Sequence, residues 1–245
     1  MLTKTEIIKR IELELKDDDT TRNELLSLWK LYDDTTGLAI DILPPKKTNV
    51  DSSEKVGLSN FFCYNNYQAQ SYNTCGQAVI ASYIDHFGKN PYSLSKTYRG
   101  HDGNLHFNPN QILSKVFNDF GPNWPWKNGI TVRETIMAAF NSYGINNHQW
   151  HPGTFSDGQD SKKELVNWIS NYRLPVIVLV DAGKSWLSGS HFSLHWCVVY
   201  GFDDDNVYIA TWEDTLSVSW ADFMDAWHCW FLPWPNNYYQ IRAWV

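Results

Sequence analysis

Two distant segments limit what this chain can fold into: Asn73-Thr74-Cys75-Gly76-Gln77-Ala78 and Leu194-His195-Trp196-Cys197-Val198-Val199-Tyr200-Gly201. The first opens a helix. Apolar residues follow at Val79, Ile80, Tyr83, Ile84 and Phe87, which form one buried stripe at helical spacing. Gly88 supplies the stop. The second opens a strand whose apolar run reaches Phe202. Asp203-Asp204-Asp205-Asn206 then makes a turn, and Val207 to Thr211 returns as a second strand. Upstream, Leu174 to Val180 is a continuous apolar run, as expected of a strand buried on both faces. A fold that joins these pieces sets a thiol at a helix start near an imidazole at a strand start.

The remaining pattern completes an α+β class, helices first and an antiparallel sheet after. Pro109 to Phe117, Val132 to Tyr143 and Lys162 to Asn171 read as helices, and Gly144 stops the second. Ser219 caps a short helix from Trp220 to Trp227, and Tyr238 to Val245 reads as a final strand. Gly100 to Asn128, rich in Gly, Asn, Pro and Trp, reads as a surface loop able to shape a cleft. Ile7 to Tyr32 reads as two charged helices broken at Asp17-Asp18-Asp19. Gly37 to Asn60 has the composition of a linker. The expected division is therefore a helical extension over 1–60 and a main domain over 61–245. The extension is read as a partner-binding or regulatory piece, a propeptide, or a small cap on the same core.

Bulk properties exclude several classes. The net charge of −7 argues against nucleic acid and anionic membranes, which demand a basic face. No apolar run reaches the roughly 20 residues of a membrane span. The first 16 residues alternate apolar and charged side chains, unlike a secretory signal, so the expected location is cytoplasmic, or outside the cell by a leaderless route. Four cysteines are too few for a disulfide scaffold. The 13 Trp, 13 Tyr and 12 Phe imply either a bulky core or an aromatic-lined groove.

Cys75 is the candidate nucleophile, because a helix N-terminus and a nearby imidazolium both favour a thiolate. His195 is the candidate base. Cys63, Cys197 and Cys229 read as structural, although Cys197 is a rival thiol two residues from His195. His191 precedes His195 by four residues, but Gly189-Ser190 and the following strand argue against a helical metal pair, and no further ligand completes a set. No cofactor is expected.

The stretch QSYNTCGQAVIASY, from Gln70 to Tyr83, resembles the opening motif of papain-like cysteine peptidases, especially the bacterial branch similar to bacteriocin-processing peptidases. The stretches LPVIVLVD, HWCVVYGFDDDNVYIATW and VSWADFMDAW resemble that branch's later strands and closing helix, so the likeness covers about 61–245. It implies a papain-like fold: a helical part with the Cys at a helix start, packed on a C-terminal antiparallel sheet carrying the His. It also implies an oxyanion donor, for which Gln70 is favoured over Gln68, and a residue that orients His195. Here the chain departs from the family, which has Asp or Asn where this chain aligns Thr211 or Ala210. Thr211 accepts a weaker hydrogen bond, and Glu213 or Asp214 would reach the ring only if the strand runs on or bulges.

The expected activity is a thiol hydrolase that acts on peptide or isopeptide amides of a peptide or protein substrate through an acyl-enzyme. Alternatives are acyl transfer to an amine as in transglutaminases, a non-catalytic binding protein on the same scaffold, and a cell-wall amidase. An effector or toxin role would suit a leaderless chain.

Overall fold

The computed structural model describes residues 55–65, 74–121, 131–151, 158–184, 186–187, 194–229 and 238–245. The expected helices and linker of residues 1–54 lie outside them. Among the described residues there are five helices: α1 (Cys75–His86), α2 (Pro109–Asp119), α3 (Arg133–Ser142), α4 (Gln159–Tyr172) and α5 (Trp220–Trp227). The strands are β1 (Val56–Gly57), β2 (Lys96–Arg99), β3 (Leu105–Phe107), β4 (Asn147–His151), β5 (Val176–Asp181), β6 (Leu194–Phe202), β7 (Asn206–Thr211), β8 (Asp214–Ser219) and β9 (Gln240–Trp244).

Seven strands make one antiparallel sheet in the order β4-β9-β5-β6-β7-β8, with β1 also on β6. β6 is its spine. It pairs with β5 from Leu194↔Asp181 to Val199↔Val176, and with β7 only from Val198↔Ala210 onward. The start of β6 therefore runs past the end of β7, and that overhang carries His195.

Alternation along the strands sends side chains into two cores. Trp196, Val198 and Tyr200 join Ile177 and Leu179 under α1, α2 and α3. Cys197 and Val199 join Val176, Val178 and Val180 under α4 and α5. The chain is thus α+β with helices on both sheet faces. Most of the described tryptophans pack into these two cores, which favours the bulky-core reading of the aromatic content.

Two expectations change. Helix α1 is not a one-stripe helix, because every residue from Gly76 to Asp85 is buried. The sheet covers one side of it, and α2 and α3 cover the other, as for a helix embedded in a core. The region from Gly100 is not a bare loop: β3 pairs back on β2 as a hairpin, and the helix expected from Pro109 follows as α2. The edge strands β4 and β8 escape sequence reading because their polar residues need no apolar run to sit at a sheet margin. Strand β1 comes from just before residue 61 and pairs Val56↔Phe202 and Gly57↔Gly201.

The β2–β3 hairpin is clipped to the C-terminal end of α1. His106 on β3 lies between two carboxylates, with Nδ1 2.6 Å from Asp85 Oδ2 and Nε2 2.9 Å from Asp102 Oδ1. Lys96 on β2 pairs with the other Asp85 oxygen, and the Tyr64 hydroxyl donates to Oδ2 at 2.8 Å. Phe62 stacks on the His106 ring at 3.9 Å. Burial alone disfavours the charged ring, but the bonds to Asp85 and Asp102 outweigh it and raise the His106 pKa. Burial also opposes ionisation of the two carboxylates; His106 foremost, with Lys96 and Tyr64 at Asp85 and Asn104 at Asp102, holds both low.

A raised imidazole pKa contributes stability that is full below the unfolded value of about 6.5 and is lost as pH rises through the folded value. The lowered carboxylates contribute above their unfolded value of about 3.9 and lose that contribution as pH falls through their folded values. The clip is therefore strongest between about pH 4 and 6.5. Replacing His106→Asn should lower the melting temperature by about 4 °C near pH 5.5 and by clearly less near pH 8.5. Thermal melts at both pH values check this, and equal losses would mean that the ring is not charged.

Candidate active site

Cys75 is the first residue of α1, after Thr74 as N-cap. It is the only one of the four cysteines that is not buried, and all four are free thiols. Its own backbone N–H and that of Gly76 point at the sulfur from the helix start, and the Trp196 N–H reaches it from β6. The thiol therefore lies against the strand one residue from His195.

A side chain would not fit at Gly76. A Cβ there would lie 2.5 Å from the Cβ of Thr131. Thr131 needs that contact because it ties the two halves of the site together. Its carbonyl accepts from the Trp196 indole at 2.8 Å, and its hydroxyl donates to Gln77 Oε1 at 3.0 Å. Gln77 in turn donates to the Phe120 carbonyl at 2.7 Å. The start of α1 is thereby pinned to β6 through a threonine that sequence reading passed over.

His195 lies in β6 opposite Val180 and is 5% exposed. Its Nε2 is 2.5 Å from the hydroxyl oxygen of Thr211, the last residue of β7. With the proton on Nε2, the ring donates to Thr211 and keeps Nδ1 as an acceptor. The Trp212 ring covers the imidazole, with centroids 4.4 Å apart and planes at 36°. The thiol and the ring share no hydrogen bond in this conformation. Bonds of this kind tighten when substrate arrives.

Of the candidate orienting residues, Thr211 alone meets the ring. Asp214 is exposed, and its Oδ1 accepts from the Thr215 N–H at 2.7 Å. The reason lies in the turn. Thr211 pairs with Asp214, so Trp212-Glu213 forms a two-residue hairpin loop. Both loop residues are left-handed, with φ 49° and 61°, the geometry of a type I′ turn that Asn-Gly normally fills. Nothing in a Trp-Glu dipeptide signals such a turn, so the placement of Trp212 over His195 was not readable. Gln70 and Gln68 lie outside the described residues, as does His191.

The electrostatics reverse one expectation. Although Cys75 keeps part of its surface exposed, desolvation of its sulfur raises the thiol pKa above its ordinary value, and the amides of Trp196, Gly76 and Cys75 offset this only in part. Burial lowers the His195 pKa to about 3. Both shifts favour the neutral forms near pH 7 over a resting thiolate–imidazolium pair. The helix start does favour the anion, but desolvation wins. The rival thiol Cys197 is buried in the core beneath α4 and α5, and burial holds its pKa well above normal. Burial also pushes Cys63 up to about 12. Among the described residues, no group of three His, Cys, Asp or Glu has the placement to hold a metal ion, and no helix is long and apolar enough to cross a membrane.

Residues 60–228 match the family described as Peptidase_C39 like family. A solved structure from Bacillus anthracis, described as a C39-like peptidase, is similar at 15% sequence identity with a TM-score of 0.47, covering 79% of this chain and 98% of its own. No curated protein matches the chain.

Proposed function

Because this chain belongs to the Peptidase_C39-like family, we propose that it is a cysteine hydrolase that cleaves peptide or isopeptide amides with Cys75 as nucleophile and His195 as base. The observation that carries the proposal is the engagement of His195 Nε2 by Thr211 at 2.5 Å, which leaves Nδ1 as the nitrogen able to take the Cys75 proton. A neutral pair dictates the order of events. The Cys75 proton passes to Nδ1 as sulfur bonds to the substrate carbonyl carbon. The resulting oxyanion accepts from the Cys75 N–H and from Gln70. As the C–N bond breaks, His195 returns the proton to the leaving amine, and an acyl-thioester remains. Water, deprotonated by the same ring, then releases the acid and restores the thiol.

An amine in place of water would give acyl transfer from the same intermediate. The reading as a non-catalytic binding protein draws on Thr211, a neutral group where a carboxylate would hold the ring more firmly. Incubation with a digest of mixed peptides, with and without an excess of glycinamide, separates these outcomes by mass spectrometry. Truncated peptides with a free C-terminal carboxylate, even beside glycinamide, are the expected result. Truncated peptides that end in glycinamide would indicate transferase activity, the amine having replaced the leaving group, and an unchanged digest would favour the binding protein.

A further inference from the structure

The turn over His195 is held from outside the sheet, and its anchor has no role in the chemistry proposed above. Two contacts fix Glu213. Its N–H donates to the Cys63 carbonyl at 2.9 Å, and its carboxylate accepts from the Tyr98 hydroxyl. Tyr98 belongs to β2, in the hairpin whose Lys96 and His106 grip Asp85 near the end of α1. The hairpin thus spans from the helix that begins with Cys75 to the turn that supports His195. Behind it, Phe62 packs against both Tyr98 and His106, at 6.2 and 3.9 Å between ring centroids.

The turn needs a hold of this kind. Left-handed backbone at two consecutive residues other than Gly, Asn or Asp is unfavourable and persists only where surroundings over-determine it. The same turn delivers both groups that touch the imidazole, Thr211 at its edge and Trp212 on its face. Relaxation of Trp212-Glu213 toward right-handed backbone would swing the Trp212 ring off His195 and shift the Thr211 hydroxyl. Since Thr211 is a neutral acceptor that orients the ring less firmly than a carboxylate, the geometry of the turn carries more of that task.

We propose that Tyr98 and Glu213 are positioning residues for the reaction: their contact makes the β2–β3 hairpin a strut that locks the turn bearing Trp212 in place and so fixes the tautomer and aim of His195. This inference rests on the Cys75–His195 reading. A merely structural contact predicts that its loss lowers stability and activity together. A positioning contact predicts that they separate.

Glu213→Gly separates them, because glycine relieves the left-handed backbone while it removes the carboxylate. Tyr98→Phe is the companion, keeping the ring against Phe62 and losing only the hydroxyl. The probe is acylation of Cys75 by p-nitrophenyl acetate, followed as nitrophenolate release with acetyl-Cys75 identified by mass, beside thermal melts and the His195→Ala control. The expected result is an acylation rate about tenfold lower in both variants with the melting temperature of Glu213→Gly unchanged or raised. The ¹⁵N signals of His195 should also shift from a single Nε2–H tautomer toward a mixture. If His195→Ala slows acylation but both strut variants match the native rate, the positioning role is overturned and the dyad stands. If rate and melting temperature fall together in both variants with the tautomer unchanged, the contact is structural only. If His195→Ala itself changes nothing, the dyad fails and the strut with it.

Discussion

Cys75→Ser should reduce amide cleavage by at least about 10⁴-fold while leaving the melting temperature almost unchanged. The small structural cost follows from the position: Cys75 is partly exposed at the first turn of α1, and serine keeps its shape. The large chemical cost follows from the site's electrostatics. His195 is a weak base at rest, with a pKa near 3. It can accept a proton only from a group that ionises with modest effort, and only while the attack is under way. A hydroxyl ionises far less readily than a thiol, so oxygen in the same place offers no nucleophile. Cleavage products from a peptide digest, quantified by mass spectrometry in native and substituted chains, provide the measurement. Activity retained in Cys75→Ser would remove Cys75 from the nucleophile's role. The same substitution at Cys197 serves as the control, and its effect should appear in stability, since that thiol is fully buried in the second core.

How much of this was legible in the sequence depended on which physical signal each part leaves. The helix from Cys75, the apolar β5, the β6 run and the Asp203–Asn206 turn announce themselves, because burial and turn chemistry impose periodicity and composition. Thr211 was readable as one candidate for the ring's partner because the family resemblance implies an orienting residue at the end of the returning strand. The choice between Thr211 and Asp214 was not readable, because it rests on a two-residue loop with left-handed Trp and Glu that local preference would not select. Thr131 and Tyr98 left no signal either. Their importance arises from contacts 65 and 115 residues away along the chain, and no local pattern encodes partners at such a distance. Protonation states were not legible, because they depend on burial that the sequence does not display. A helix N-terminus predicts a lowered thiol pKa, and only the packed structure reveals that desolvation overrides it.

His195→Ala should reduce Cys75 acylation and amide cleavage by about 10³- to 10⁴-fold, and the pH profile of the native chain should betray the neutral pair. For the base, the working form is the neutral imidazole. Its folded pKa is lowered, so that form persists as pH falls and is lost only near pH 3. For the nucleophile, the raised pKa keeps the thiol protonated past its ordinary value of 9.0. Acylation by p-nitrophenyl acetate should therefore show no step near about 6.5, where an unperturbed histidine titrates, and should stay flat from about pH 5 to 8. A resting thiolate–imidazolium pair behaves differently: its activity falls on the acid side as the thiolate protonates and on the alkaline side as the imidazolium loses its proton. A bell centred between pH 5 and 8 would thus show that desolvation does not dominate at this site. Thr211→Val sharpens the comparison. It removes the acceptor for Nε2–H but leaves the ring buried under Trp212, so the profile should stay flat while the rate drops about tenfold. A rate that falls with a flat profile assigns Thr211 to orientation. A profile that moves would assign it to the acidity of the ring, and would mean that burial is not what keeps His195 neutral.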